Sequence, residues 1–202
     1  MSAPRILLAT RNRKKLAELR RILDEVGRVE LVSLDDVPPY PEVPETGLTF
    51  AENALIKARE GVRRTGLPTV ADDSGLVVEA FGNAPGVFSA RWAGRHGDDG
   101  ANLRLLLAQL SDVPDDRRQA AFVCAAALVL PNGLEHLVDG RQTGRLIRVP
   151  RGENGFGYDP IFVGDGQDRT NAELSAAEKD AISHRGQAFR ALAKVIARSL
   201  LE

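Results

Sequence analysis

The chain has 202 residues, 43% hydrophobic and 27% charged, proportions of an ordinary soluble globular domain that exclude fibre formation and disorder. A formal net charge of −1 provides no basic field for a long nucleic acid, so any anionic partner must be gripped locally. The single cysteine, Cys124, excludes an internal disulfide, Ala120–Leu130 is too short to span a bilayer and Ile6–Ala9 too short for a signal core; the expectation is a cytoplasmic protein with no membrane partner.

Arg5–Thr10 reads as a short buried strand that runs directly into a helix over Asn12–Val26, with Leu16, Leu19, Leu23 and Val26 at helical spacing and Gly27 as its stop. The junction breaks an electrostatic rule. Helix N-termini favour carboxylates, yet Arg11, Arg13, Lys14 and Lys15 crowd this one and no acid follows before Glu18. A docked polyanion explains the arrangement, with Thr10 and Asn12 as neutral donors; the alternative is a solvated basic patch. The glycines of a Walker A loop are absent.

Val29–Leu34 reads as a second strand, and Asp35–Thr46, with four prolines, as an irregular loop carrying Glu45. Thr49-Phe-Ala-Glu52 has capping-box spacing and opens a helix to about Arg64, closed by Gly66 and Pro68. On it Asn53 and Lys57 share a face, while Phe50, Ala54, Ala58 and Val62 form the apolar side, so Lys57 could aim a cation at phosphate from a rigid element.

Thr69–Asp73 and Leu76–Phe81 read as two short strands separated by a Ser74-Gly75 turn. Asp72 and Asp73 then point to opposite faces and do different jobs: one binds metal or activates water, the other braces the site. Carboxylates together with substrate phosphates are how proteins usually hold Mg2+, and Asp72, Asp73 and Glu45, with no His or Cys beside them, are hard donors of that kind rather than zinc ligands. The alternative is an ordinary Asp-Asp-Ser-Gly turn.

Gly82–Gly100 reads as a surface connection and Ala101–Leu110 as a helix. Arg118–Leu130 and Leu134–Gly140 form a hairpin about Pro131-Asn132-Gly133, and Gly144–Val149 adds a strand. Arg151–Pro160 is a Gly-rich loop, Ser175–Glu178 a second capping box and Gly186–Leu201 a final amphipathic helix. In the loop, Phe156, Gly157, Tyr158 and Asp159 place aromatics between glycines, a composition suited to stacking on a flat base or, alternatively, to a turn whose rings enter the core. Donors at Ser183-His184-Arg185 suit a 6-keto purine, for which adenine is a poor substitute; the alternative is a cation cluster at a helix end. This order of elements predicts an α/β protein with a mixed sheet.

Taken in line, Thr10-x-Asn12-x-x-Lys15, Glu45-Thr-Gly47, Phe50-x-Glu-Asn-Ala-x-x-Lys57-Ala, Ala71-Asp-Asp-Ser-Gly75, Phe156-Gly-Tyr-Asp-Pro160 and Ser183-His-Arg-Gly-Gln-Ala188 closely resemble the inosine triphosphate pyrophosphatase family. The likeness covers nearly the whole chain, including Ala90-Arg91 and Glu178-Lys179. It implies a single domain of two lobes around a central cleft, an elongated mixed β-sheet with flanking helices, and a homodimer. It implies Mg2+-dependent hydrolysis of ITP, dITP and XTP to the monophosphate and pyrophosphate. By position, Thr10, Arg11, Asn12, Arg13, Lys14 and Lys15 cradle phosphates with Lys57 assisting. Asp73 is the catalytic acceptor and a metal ligand, Glu45 a second ligand, and Ser74 touches substrate. Phe156–Asp159, Lys179, His184 and Arg185 hold the base. The rival readings are a Maf-type pyrophosphatase with another base preference and a nucleotide-binding regulator without catalysis.

Overall fold

A computed structural model describes residues 3–23 and 29–200. The expected end of the first helix at Val26 and Gly27, and Leu201 of the last, lie outside the described residues. In chain order the elements are β1 (Arg5–Leu8), α1 (Arg13–Leu23), β2 (Glu30–Ser33), α2 (Phe50–Thr65), β3 (Thr69–Val78), α3 (Asp99–Gln109), β4 (Gln119–Val129), β5 (Glu135–Leu146), β6 (Phe162–Gly164), α4 (Ala176–Ile182) and α5 (His184–Leu200). The strands follow the order β2-β1-β3-β4-β5-β6. β1 is parallel to β2 and β3, whereas β5 and β6 are antiparallel, so the sheet is mixed as expected.

The chain divides into two compact units. The first contains Met1–Asp73, Cys124–Gly140 and Gly186–Glu202; the second contains Ser74–Val123 and Arg141–Arg185. In the first, alternation along the strands sorts side chains onto two covered faces. Ile6, Leu8, Val70, Cys124, Ala126 and Leu128 pack with Leu19, Ile22 and Leu23 of α1 and Phe189, Leu192 and Ile196 of α5. The intervening Ala71, Ala125, Ala127 and Val129 pack with Ala54 and Ala58 of α2. The small side chains on this second face let α2 lie close to the strands. In the second unit, Leu76, Val78, Phe122, Leu146, Tyr158, Ile161 and Phe162 surround Leu106 of α3 and Leu110 at its C-terminal end. The guanidinium of Arg118 is buried there and donates to the carbonyls of Leu110 and Leu146, which satisfies groups at the end of α3.

Two expectations need correction, and one strand was missed. Ser74-Gly75 is not a turn: β3 runs unbroken from Thr69 to Val78. The Leu76 N–H donates to Ser89 Oγ at 2.9 Å, and a Cβ on Gly75 would meet the Gly86 carbonyl at 2.6 Å. The glycine therefore serves close approach rather than chain reversal. Likewise, Gly144 does not open a new strand, since β5 continues from Glu135 through Leu146. The short strand β6 was not anticipated, because three residues after Pro160 carry too little pattern to read.

Candidate functional site

β1 pairs with β3 through Leu7↔Thr69 and Leu8↔Val70 and then stops. Asp72 and Asp73 therefore extend past the carboxyl end of β1, beside the turn into α1, the position at which open α/β sheets place ligands. That turn is built by its own side chains. Thr10 Oγ1 accepts the Asn12 N–H at 3.2 Å, and Asn12 Oδ1 accepts the N–H groups of Lys14 and Lys15 at 3.0 and 3.2 Å. Asn12 is thus the N-cap that the sequence treated only as a donor. Arg11, Arg13 and Lys14 are exposed. Arg11 donates to the Tyr40 carbonyl at 2.6 Å, which ties the turn to the proline-rich loop.

The two aspartates occupy opposite faces of β3, as period-two geometry requires. Asp72, buried on the face of α1, receives Lys15 Nζ at 2.9 Å, with Cys124 Sγ at 3.9 Å. Asp73, on the face of α2, accepts Asn53 Nδ2 on Oδ2 at 3.0 Å and lies 3.8 Å from Lys57 Nζ through Oδ1. Lys57 in turn donates to Glu45 Oε1 at 2.6 Å. Asn53 joins the parts: its Oδ1 accepts the Gly47 N–H at 2.8 Å, fixing the segment that carries Glu45. A Cβ at Gly47 would meet Asn53 Oδ1 at 2.7 Å, so glycine is required there by close approach.

Burial raises the Asp73 carboxyl above its ordinary value, more than the cations Lys57 and Lys15 and the Asn53 hydrogen bond lower it. Burial works against the Lys57 ammonium, but Asp73, Asp72 and Glu45 outweigh it and its pKa rises. The group is a compact set of alternating charges in which every carboxylate faces a lysine.

Glu45 and Asp73 offer carboxylate oxygens, hard ligands suited to Mg2+. Among the described residues no group of three or more His, Cys, Asp and Glu side chains could hold a metal ion. The donor set fits a cation that shares its coordination between one or two carboxylates, water and substrate phosphates, rather than a closed protein cage.

A second cluster lies within the second unit. Asp159 is buried and organises its loop: Oδ2 accepts Lys179 Nζ at 2.7 Å and the Phe156 N–H at 2.9 Å, while Oδ1 lies 3.4 Å from Asn171 Nδ2. Asn171 and Gln142 exchange reciprocal amide hydrogen bonds of 3.0 Å behind it. Gly155, at φ +73°, supplies the left-handed residue that this turn needs, and a Cβ there would collide with the Asp159 carboxylate. Tyr158 is also turned inward. Burial raises its phenol pKa, keeping it a donor, and its hydroxyl donates to the Ser89 carbonyl at 2.9 Å.

Phe156 is the half-buried aromatic of the loop, with Lys179 Nζ 5.0 Å and the Arg185 guanidinium 5.5 Å from its ring centre. Arg185 Nη2 donates to Ser74 Oγ at 2.8 Å. His184 stacks on Phe122, with centroids 4.9 Å apart and planes 12° from parallel. Lys179, His184 and Arg185 are all buried. The sequence singled out Phe156, Lys179, His184 and Arg185, which gather here. It missed Phe122, Asn171 and Gln142, which sit in apolar or featureless segments with no local mark.

Cations and carboxylates at the carboxyl end of a parallel strand define an α/β protein of the phosphate-handling class. The sequence profile of the Ham1 family matches residues 6–195. The chain belongs to the Ham1 family. A protein of Mycobacteroides abscessus named dITP/XTP pyrophosphatase is 66% identical over 93% of this chain and 92% of its own. One of Nocardia farcinica with the same name is 62% identical over 98% and 97%. A HAM1 protein from Coxiella burnetii has a solved structure with a TM-score of 0.86 at 43% identity, over 97% of this chain and all of that one. The crystal structure of the Mycobacterium abscessus nucleoside-triphosphatase gives 0.78 at 66% identity, over 93% and 98%.

Proposed function

We infer that the chain is a nucleoside triphosphate pyrophosphatase that hydrolyses ITP, dITP and XTP to the monophosphate and pyrophosphate. The observation that carries this reading is the cluster of Lys15, Lys57, Asp72, Asp73 and Glu45 past the end of β1, in a chain 66% and 62% identical to two relatives named for this activity. The turn Thr10–Lys15 grips the triphosphate through its exposed cations. Lys57 adds a point charge, and Asp72 steadies Lys15. Asp73 accepts a proton from the water that attacks the α-phosphorus; the bond to the β-phosphate bridging oxygen breaks and pyrophosphate leaves. Glu45 and Asp73 would hold Mg2+, which supplies neutralisation of the phosphate charge when bound.

The base is assigned to Phe156, which offers a stacking face, and to Lys179, His184 and Arg185, whose N–H groups suit a 6-keto oxygen. An adenine amino group would leave such donors facing a donor, a costly mismatch in a dry pocket. Ser74 and Gly157 complete the assigned contacts, while Tyr158 and Asp159 act by holding the loop. Resemblance to the family further supports a homodimer in the cytoplasm; sedimentation should give twice the 21.8 kDa chain mass.

Product analysis tests the reading. Incubation with ITP and Mg2+ is expected to release pyrophosphate and IMP, at a kcat/KM at least ~100-fold above that for ATP. Release of single orthophosphate, or equal use of ATP, would overturn it.

A further inference from the structure

The α2 face of β3 has one feature that phosphate binding does not require. Lys57 Nζ reaches two carboxylates at once, Glu45 Oε1 at 2.6 Å and Asp73 Oδ1 at 3.8 Å. Its side chain is only 17% exposed, so this is a desolvated contact rather than a surface pair. The Asp73 carboxylate and the backbone near Glu45 are held by a residue other than the lysine. Asn53 fixes Asp73 through Oδ2, leaving Oδ1 turned to Lys57, and fixes the Gly47 backbone two residues after Glu45. Asn53 and Lys57 are one turn apart on α2, whose start is locked by a formed capping box at Thr49 and Glu52. The frame is rigid, and the long flexible lysine stem is its movable member.

We propose that Lys57 is a displaceable counterion: its ammonium neutralises Glu45 and Asp73 until a divalent cation takes those oxygens, and Lys57 then moves off to meet the substrate phosphates. This inference rests on the reading of Glu45 and Asp73 as metal ligands given above. The physical ground is competition. Two facing carboxylates in a half-buried site repel one another and are stabilised by a cation between them, and an ammonium and a divalent ion placed on the same pair of acids repel each other and compete for their oxygens. The lysine that preserves the site without metal therefore also opposes the metal, and its departure delivers a positive charge where the triphosphate arrives. Metal and nucleotide binding are thereby coupled through one side chain.

Binding of Mn2+ to the nucleotide-free protein, followed by electron paramagnetic resonance of free Mn2+, tests the exchange. Lys57→Met keeps the stem and removes the charge, and is expected to bind Mn2+ at least ~10-fold tighter than the wild type; Lys57→Arg, which keeps the charge, should not. Affinity unchanged or weakened in Lys57→Met would overturn the proposal. A second measurement needs no variant. Acetylation of Lys57 in the wild type, read by mass spectrometry against exposed Lys194, should accelerate several-fold when Mg2+ is added without nucleotide. Unchanged or slower labelling would equally overturn it. Neither readout uses turnover. Failure here beside normal Mg2+-dependent pyrophosphate release would remove the exchange and leave the enzymatic reading intact; loss of pyrophosphate release would strike the enzymatic reading alone.

Discussion

At the scale of the residue, Asp73 and Asp159 show how one side-chain type serves opposite ends. The surroundings of Asp73 oppose its ionisation. Burial lifts its pKa above the ordinary carboxylate value of 3.8, so the folded chain holds that proton more tightly than the unfolded chain. Its contribution to stability therefore falls as pH rises from that value through the folded pKa. Asp73→Asn should consequently melt at a higher temperature than the wild type at pH 7 while losing ~100-fold or more in kcat with ITP. A variant less stable than its parent, or one with near-normal turnover, would contradict this account. Asp159 has a structural task, as a buried carboxylate that accepts from a buried ammonium and a backbone donor. Asp159→Ala leaves Lys179 without that carboxylate and should cost about 3 kcal/mol in chemical denaturation. It should also raise the KM for ITP, because the turn bearing Phe156 loses its latch.

At the scale of the element, α2 positions three parts of the acid–cation cluster. Its capping box is complete: Thr49 Oγ1 accepts the Glu52 N–H at 3.1 Å, and Glu52 Oε2 accepts the Thr49 N–H at 3.1 Å. Thr49→Ala should lower stability by about 1 kcal/mol, seen as a reduced urea midpoint at unchanged slope. Gly47→Ala should do more, because its Cβ would meet Glu52 Cβ at 2.6 Å as well as Asn53 Oδ1. Relief requires Glu45's segment to shift from Asn53, so the variant is expected to lose metal affinity along with stability; an unaltered Mn2+ titration would show that the contact does not organise the ligands. Capping boxes and helical spacing made α2, and the shared face of Asn53 and Lys57, legible in the linear chain. The strand β3 was not legible in the same way. Asp-Asp-Ser-Gly has turn composition, and only the packing of Ser89 against Gly75, with Leu76 and Val78 in the core, keeps it extended.

At the scale of the whole molecule, chemistry-bearing residues far apart in the chain gather within each unit. Lys15 meets Asp72 across 57 positions, and Arg185 meets Ser74 across 111. The order of motifs in the chain was enough to indicate an α/β fold and the family, and to nominate the residues of the proposed site, because periodicity, capping signals and short motifs are local properties of a sequence. Division of labour among those residues was not local. The roles of Asn12 as a helix cap, Tyr158 and Asp159 as inward braces, Phe122 as the plane under His184 and Lys57 as a bridge between two acids follow from which atoms lie within hydrogen-bonding or stacking distance. That is fixed by strand register and helix packing, and by the requirement that buried polar groups find partners. Residue identity supplied the charges and donors; three-dimensional packing decided which of them pair with one another.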